Sequence, residues 1–261
     1  MLELTIPLVF AVFIWWFSTG LVLLLDGLPS TTFRWSVLIS SLLAATALYG
    51  LALTSLQSSV VNAYGAFTCA LLIWGWHELT FLTGWLTGPR KQASTSSGGW
   101  SRFTQAVAAI IWHELAILGS AVLIISITWN APNKIGLWTF LVLWSMRTSA
   151  KLNLFFGVRN LSEEFLPAHL TYMASYFRRL PMNAFFPISV MGASVVLAWM
   201  TVRTLHPGTA GTEVVGLVLV STMLAMAILE HFLLVLPLPS TALWRWALRN
   251  RTTQPVVSAA D

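Results

Sequence analysis

Gly75-Trp76-His77-Glu78-Leu79-Thr80-Phe81-Leu82-Thr83-Gly84-Trp85-Leu86-Thr87-Gly88-Pro89-Arg90 starts inside an apolar segment and ends in a Gly-Pro-Arg turn that belongs at a water boundary. His77 and Glu78 within reach of hydrocarbon are costly, and an ionisable group inside a membrane is by default a functional candidate. The tetrapeptide recurs at Trp112-His113-Glu114-Leu115, and the pair is inverted at Glu230-His231. These three His/Glu pairs are the centre from which the chain is read.

Of 261 residues, 57% are hydrophobic and 9% charged, with a mean hydropathy of +0.77. Soluble domains carry about 25% charged residues, so the composition is that of an all-α polytopic integral membrane protein. Fourteen tryptophans agree, since indoles favour the headgroup boundary. The net charge of +5 comes from basic residues scattered over loops and does not read as nucleic-acid binding, and the tail cluster Arg245, Arg249 and Arg251 is too small to argue for more than anionic lipid contact. Cys69 has no partner and excludes an internal disulfide or a multi-cysteine metal site. Residues 5–25 lack a basic leader and read as a retained span.

Seven stretches reach the roughly 20 apolar residues that a span needs. They are about 5–25, 34–56, 60–82, 103–128, 135–156, 184–203 and 212–237, so about seven transmembrane helices are expected. One side collects Arg34, Arg90, Lys91, Arg102, Arg159, Arg178, Arg179 and the tail arginines Arg245, Arg249 and Arg251; the other carries only Lys134 and Arg203. The positive-inside rule then puts the N-terminus in the periplasm and the C-terminus in the cytoplasm. Residues 84–102 read as a flexible connector, with Ser94-Thr95-Ser96-Ser97-Gly98-Gly99 at their centre. A short interfacial helix is expected near 161–180, with Glu163 and Glu164 early and aromatics and arginines late. Residues 1–251 form one helical domain, and 252–261 read as a disordered tail.

At about 1.5 Å per residue, His77 and Glu78 lie roughly 6–8 Å from the cytoplasmic end of their span, His113 and Glu114 roughly 15 Å, and Glu230 and His231 roughly 10 Å. All three pairs fall in the cytoplasmic half, on the side of Glu164 and His169. Arg147 and Lys151, four residues apart, share one face of the fifth span and are the matching cations. A buried carboxylate must be protonated, paired or metal-bound. The sequence leaves three readings open. One is an interhelical ion-pair network. Another is a transition-metal site (di-iron or zinc type) drawn from His77, Glu78, His113, Glu114, Glu164, His169, Glu230 and His231. The third is a tetrapyrrole ligand or a proton relay. Adjacent residues diverge by about 100° on a helix, so each pair can send only one member squarely to a shared point. There is no His-Glu-x-x-His, phosphate loop, nucleophile elbow or dinucleotide fingerprint. His206 in its His-Pro-Gly turn reads as a loop residue, and the tryptophans Trp15, Trp16, Trp74, Trp76, Trp85 and Trp100 as belt anchors.

The stretch from Gly75 to Arg90 resembles the PuhE-type family of photosynthetic complex assembly proteins of purple phototrophic bacteria. So does Lys151-Leu152-Asn153-Leu154-Phe155-Phe156-Gly157-Val158-Arg159-Asn160, running into Glu163-Glu164-Phe165-Leu166-Pro167-Ala168-His169-Leu170. The resemblance covers essentially the whole chain. It implies an inner-membrane protein, in the cytoplasmic or intracytoplasmic photosynthetic membrane, encoded with reaction-centre genes. The implied role is assembly of the reaction centre–antenna complex and modulation or delivery of bacteriochlorophyll, with reaction-centre or antenna subunits as partners. The family carries no assigned catalytic residues, so none transfers. Neutral imidazole can ligate the pigment's central Mg, which suits the histidines. The alternatives are a membrane His/Glu metalloenzyme acting on a lipophilic pigment precursor and a transporter with Glu114 or Glu230 as its proton-carrying acid.

Overall fold

The computed structural model describes residues 2–96, 98–238 and 240–248. The proposed tail 252–261, with Arg249 and Arg251, lies outside the described residues. Seven long helices make the bundle: α1 (Leu2–Asp26), α2 (Phe33–Ser55), α3 (Val60–Leu82), α4 (Gly99–Thr128), α5 (Ile135–Phe156), α6 (Phe185–Leu205) and α7 (Gly211–Leu233). Each is a run of Leu, Ile, Val, Ala and aromatics, which in lipid can satisfy its backbone only as a helix. Local chemistry sets the ends. The Ser59 hydroxyl accepts from the Asn62 amide at the start of α3. Gly84 (φ 77°) and Gly157 (φ 126°) close α3 and α5 in conformations that favour glycine.

Among the described residues, five helices are long and apolar enough to cross a membrane: α1, α2 with its leading turn (Ser30–Ser55), α4, α6 and α7. This corrects the expected count of about seven. α3 and α5 have comparable length, 23 and 22 residues, but they carry Asn62, His77, Glu78, Arg147, Lys151 and Asn153. α3 packs against α1, α2, α4, α5 and α7, and a helix so enclosed has no need to be apolar all round. The outer face of α6 shows the opposite logic: Ile188, Met191, Val195, Trp199 and Val202 are all exposed, as a lipid-facing surface requires.

The core is built in three blocks. Leu51, Ile73, Trp74, Ile117, Ile124 and Phe140 join α2 to α5; Phe186, Val190, Val220 and Leu224 join α6 to α7; Ala11, Phe67, Leu219 and Met223 join α1, α3 and α7. Asn183 ties α5 to α6. Its amide donates to Asn153 Oδ1 (3.1 Å) and Gly157 O (2.9 Å), while its Oδ1 accepts from the Phe185 and Phe186 amides. Asn160 donates to Leu233 O (2.8 Å) and Leu236 O at the end of α7.

The segments at the basic end differ from expectation. Residues 161–180 hold no α-helix. They form two 3-10 segments, Glu163–Phe165 and Ala168–Tyr176, separated by Leu166 and Pro167 and preceded by Ser162 at φ 53°. The buried residues Leu170, Met173 and Tyr176 recur every three positions, which lines one face of a three-per-turn helix and not of an α-helix. That face packs on Phe81 and Leu82, so the segment caps the bundle.

Much of 84–102 is docked and not a free connector. The Arg90 amide donates to Ala108 O (3.2 Å), and the Thr87 carbonyl accepts from the His113 amide (3.0 Å). A Cβ at Gly88 would lie 2.2 Å from Ala108 O, so only glycine lets this loop lie on the α4 backbone. Helix α4, at 30 residues, is about 45 Å long, against a hydrocarbon thickness of about 30 Å. Its first turns therefore run beside the loop, and α4 begins four residues earlier than the span expected from residue 103.

Candidate functional site

His113 on α4 comes beside His77 on α3, although simple counting placed them at different depths. Their rings are 6.2 Å apart, and both side chains are buried. His77 Nε2 lies 2.9 Å from Ser120 Oγ on α4, and His113 stacks obliquely on Phe81 at 4.5 Å. The Nδ1 atoms of both have no hydrogen-bond partner among the described residues. His231 is fully committed: its Nδ1 is 2.8 Å from Ala227 O, which can only accept, so Nδ1 carries the proton. The Ser149 hydroxyl then donates to Nε2 at 2.9 Å.

The carboxylates turn the other way. Arg147 Nη2 donates to Glu78 Oε2 at 2.9 Å, and Lys151 Nζ to Glu114 Oε1 at 2.5 Å. The Trp15 indole N–H donates to Glu230 Oε1 at 3.0 Å. Each His/Glu pair thus sends imidazole into a helix contact and carboxylate toward a polar cluster, as the 100° step between neighbours dictates.

Glu78, Arg147, Lys151 and Glu230 line one cavity of about 440 Å³. Its walls come from the facing halves of α1 (Trp15, Val22), α3 (Leu71, Trp74), α4 (Val107, Ile110), α5 (Met146, Phe155) and α7 (Met223, Leu233). Leu161, Phe165, Met173 and Tyr176 of the cap close its end. The surface that Arg147 leaves uncovered lines this cavity. It is a mostly apolar chamber with its charge confined to one patch, the form of many small-molecule sites. No histidine lines it.

The remaining candidates lie apart. Glu164 is exposed in the cap. His169 Nε2 donates to Leu82 O (2.9 Å), capping the end of α3, and its ring sits 3.1 Å from where a Gly84 Cβ would be. Among the described residues no three His, Cys, Asp or Glu side chains come together in a way that could hold a metal ion. Sequence reasoning missed Trp15, Ser120 and Ser149. Trp15 looks like any belt indole, and no linear spacing links it to Glu230, 215 positions away.

A 37% identical relative over 242 residues, covering 91% of this chain and 88% of its own length, is an uncharacterized 30.4 kDa protein in the puhA 5′ region of Rhodobacter capsulatus. No solved structure matches. The model of the family described as protein of unknown function (DUF3623) matches residues 1–255, and the chain belongs to that family.

Proposed function

We propose that the protein is an inner-membrane factor for assembly of the bacterial photosynthetic reaction centre–antenna complex, and that its cavity holds bacteriochlorophyll for delivery to nascent reaction-centre or antenna subunits. The observation that carries this reading is the chamber itself: apolar and aromatic walls suit a flat macrocycle, and one polar patch suits its polar centre and substituents. The resemblance of the Gly75–Arg90 and Lys151–Leu170 stretches supports it, as does a relative whose name places it in the puhA 5′ region. The charge asymmetry favours the cap at the cytoplasmic side. The histidines are turned out of the chamber, so any hold on the pigment's metal falls to the carboxylates.

Gly75 gives a clean test. It lines the cavity between Leu71 and Glu78 on one face of α3, and a Cβ there meets nothing within 4 Å. Protein purified in mild detergent is titrated with bacteriochlorophyll and followed by pigment absorbance. Saturable binding is expected, and Gly75→Phe, which fills the chamber, weakens it roughly tenfold, about 1.4 kcal/mol. Wild-type protein that takes up no pigment would end this reading.

A further inference from the structure

We propose that Glu230 is the residue that recognises the cargo, ligating the Lewis-acidic metal centre of a metallated tetrapyrrole through its free carboxylate oxygen. This rests on the reading of the cavity as a pigment site.

Two carboxylates line the polar patch, Glu78 and Glu230, with Glu114 beside it. Glu78 is neutralised by Arg147, although its Oε1 has no hydrogen-bond partner among the described residues, and Glu114 by Lys151. Glu230 has no cation within ion-pair distance among the described residues. It receives one hydrogen bond, from Trp15, at Oε1. Its Oε2 receives none from the described residues, and the side chain lines the chamber. Arg147 is shared, since it also acts on Glu230 from beyond ion-pair distance, but Glu78, Glu114 and an ionised Glu230 against Arg147 and Lys151 still leave one negative charge in excess. Such a patch repels a carboxylate on a ligand and attracts an electron-poor centre.

Imidazole is not on offer: His77, His113 and His231 are packed between helices and line no part of the chamber. Mg²⁺ is a hard cation that takes oxygen ligands, carboxylate among them. The indole bond at Oε1 fixes the carboxylate plane and leaves the other oxygen to face the cargo, the usual division between ligand and supporting shell.

The test compares bacteriochlorophyll with its metal-free counterpart, bacteriopheophytin, on the full-length protein in detergent. Wild-type protein is expected to bind the metallated pigment at least roughly tenfold more tightly. Glu230→Gln keeps the shape and the Trp15 acceptor, and should drop metallated binding to the metal-free level while leaving bacteriopheophytin unchanged. Glu230→His, which supplies another metal ligand, should restore part of the preference and alter the ligation-sensitive absorbance. Equal affinity for the two pigments in wild type, or an undiminished preference in Glu230→Gln, overturns this inference while the pigment site stands. Failure of both pigments to bind wild-type protein removes the cavity reading and this inference together.

Discussion

Arg147 on α5 donates to Glu78 on α3 at 2.9 Å, closing one side of the cavity's polar patch. The pair is neither a surface salt bridge nor a fully enclosed one, since its open side faces the chamber. Exposed pairs contribute about 0–1 kcal/mol, and breaking a buried pair costs about 3–5 kcal/mol. Arg147→Met, which strands the Glu78 carboxylate, should therefore cost about 2 kcal/mol. Adding Glu78→Gln should recover at least half. Thermal unfolding of both variants in detergent checks the sign of the coupling; additive losses would show that the pair is not energetically linked.

Gly88 lies where loop and helix backbones touch. Gly88→Ala must push the loop off α4 and should destabilise by about 1–3 kcal/mol, as overpacking does. Gly192→Ala and Gly119→Ala are the controls. Both sit within helices with nothing within 4 Å of the added Cβ, so each should be neutral or gain up to about 1 kcal/mol. Proteolysis within residues 84–96 should rise for the first variant alone.

Asn183 makes donor bonds to Asn153 and Gly157 and caps α6 with its oxygen. Asn183→Ala loses the cap and leaves buried carbonyls unsatisfied, a loss of about 2–3 kcal/mol. Asn183→Asp keeps the cap and should retain part of the stability. Equal losses in the two would assign the whole effect to the amide donors.

Ser149 is the only side-chain partner of His231 Nε2 among the described hydrogen bonds. Ser149→Ala should cost about 1–3 kcal/mol by leaving a buried acceptor unmet. Ser149→Thr keeps the hydroxyl and should cost less. Hydrogen exchange along α7 near Ala227 reads the loss, because the His231 ring is held to that carbonyl at its other nitrogen.

Segments whose structure is written in nearby residues were legible. The span expected at 34–56 became α2 (Phe33–Ser55), because apolar length acts within a few residues of where it is seen. Those at 60–82 and 135–156 also became helices, α3 (Val60–Leu82) and α5 (Ile135–Phe156), stopped near Gly84 and Gly157, but neither is apolar enough to count as a membrane span. The three depths were less secure. At 30 residues α4 is longer than a single span needs, so counting from an assumed end is a weak guide to the depth of His113. The cap was misread because acids followed by aromatics suit an α-helix in composition, while a spacing of three between Leu170, Met173 and Tyr176 governs burial.

By itself the amino-acid sequence determined the class of the molecule, the stretches that become long helices and the gathering of His/Glu pairs toward one end. Those properties follow from apolar length, backbone satisfaction and charge bias, all local to the chain. Tertiary structure alone decided how each helix is rotated. Rotation sent the carboxylates of Glu78 and Glu230 into a shared chamber and the imidazoles of His77, His113 and His231 into helix contacts. It also gave Glu230 the Trp15 indole in place of a cation. Neighbours in sequence point about 100° apart on a helix, and only the packing of the whole bundle selects which of them faces inward.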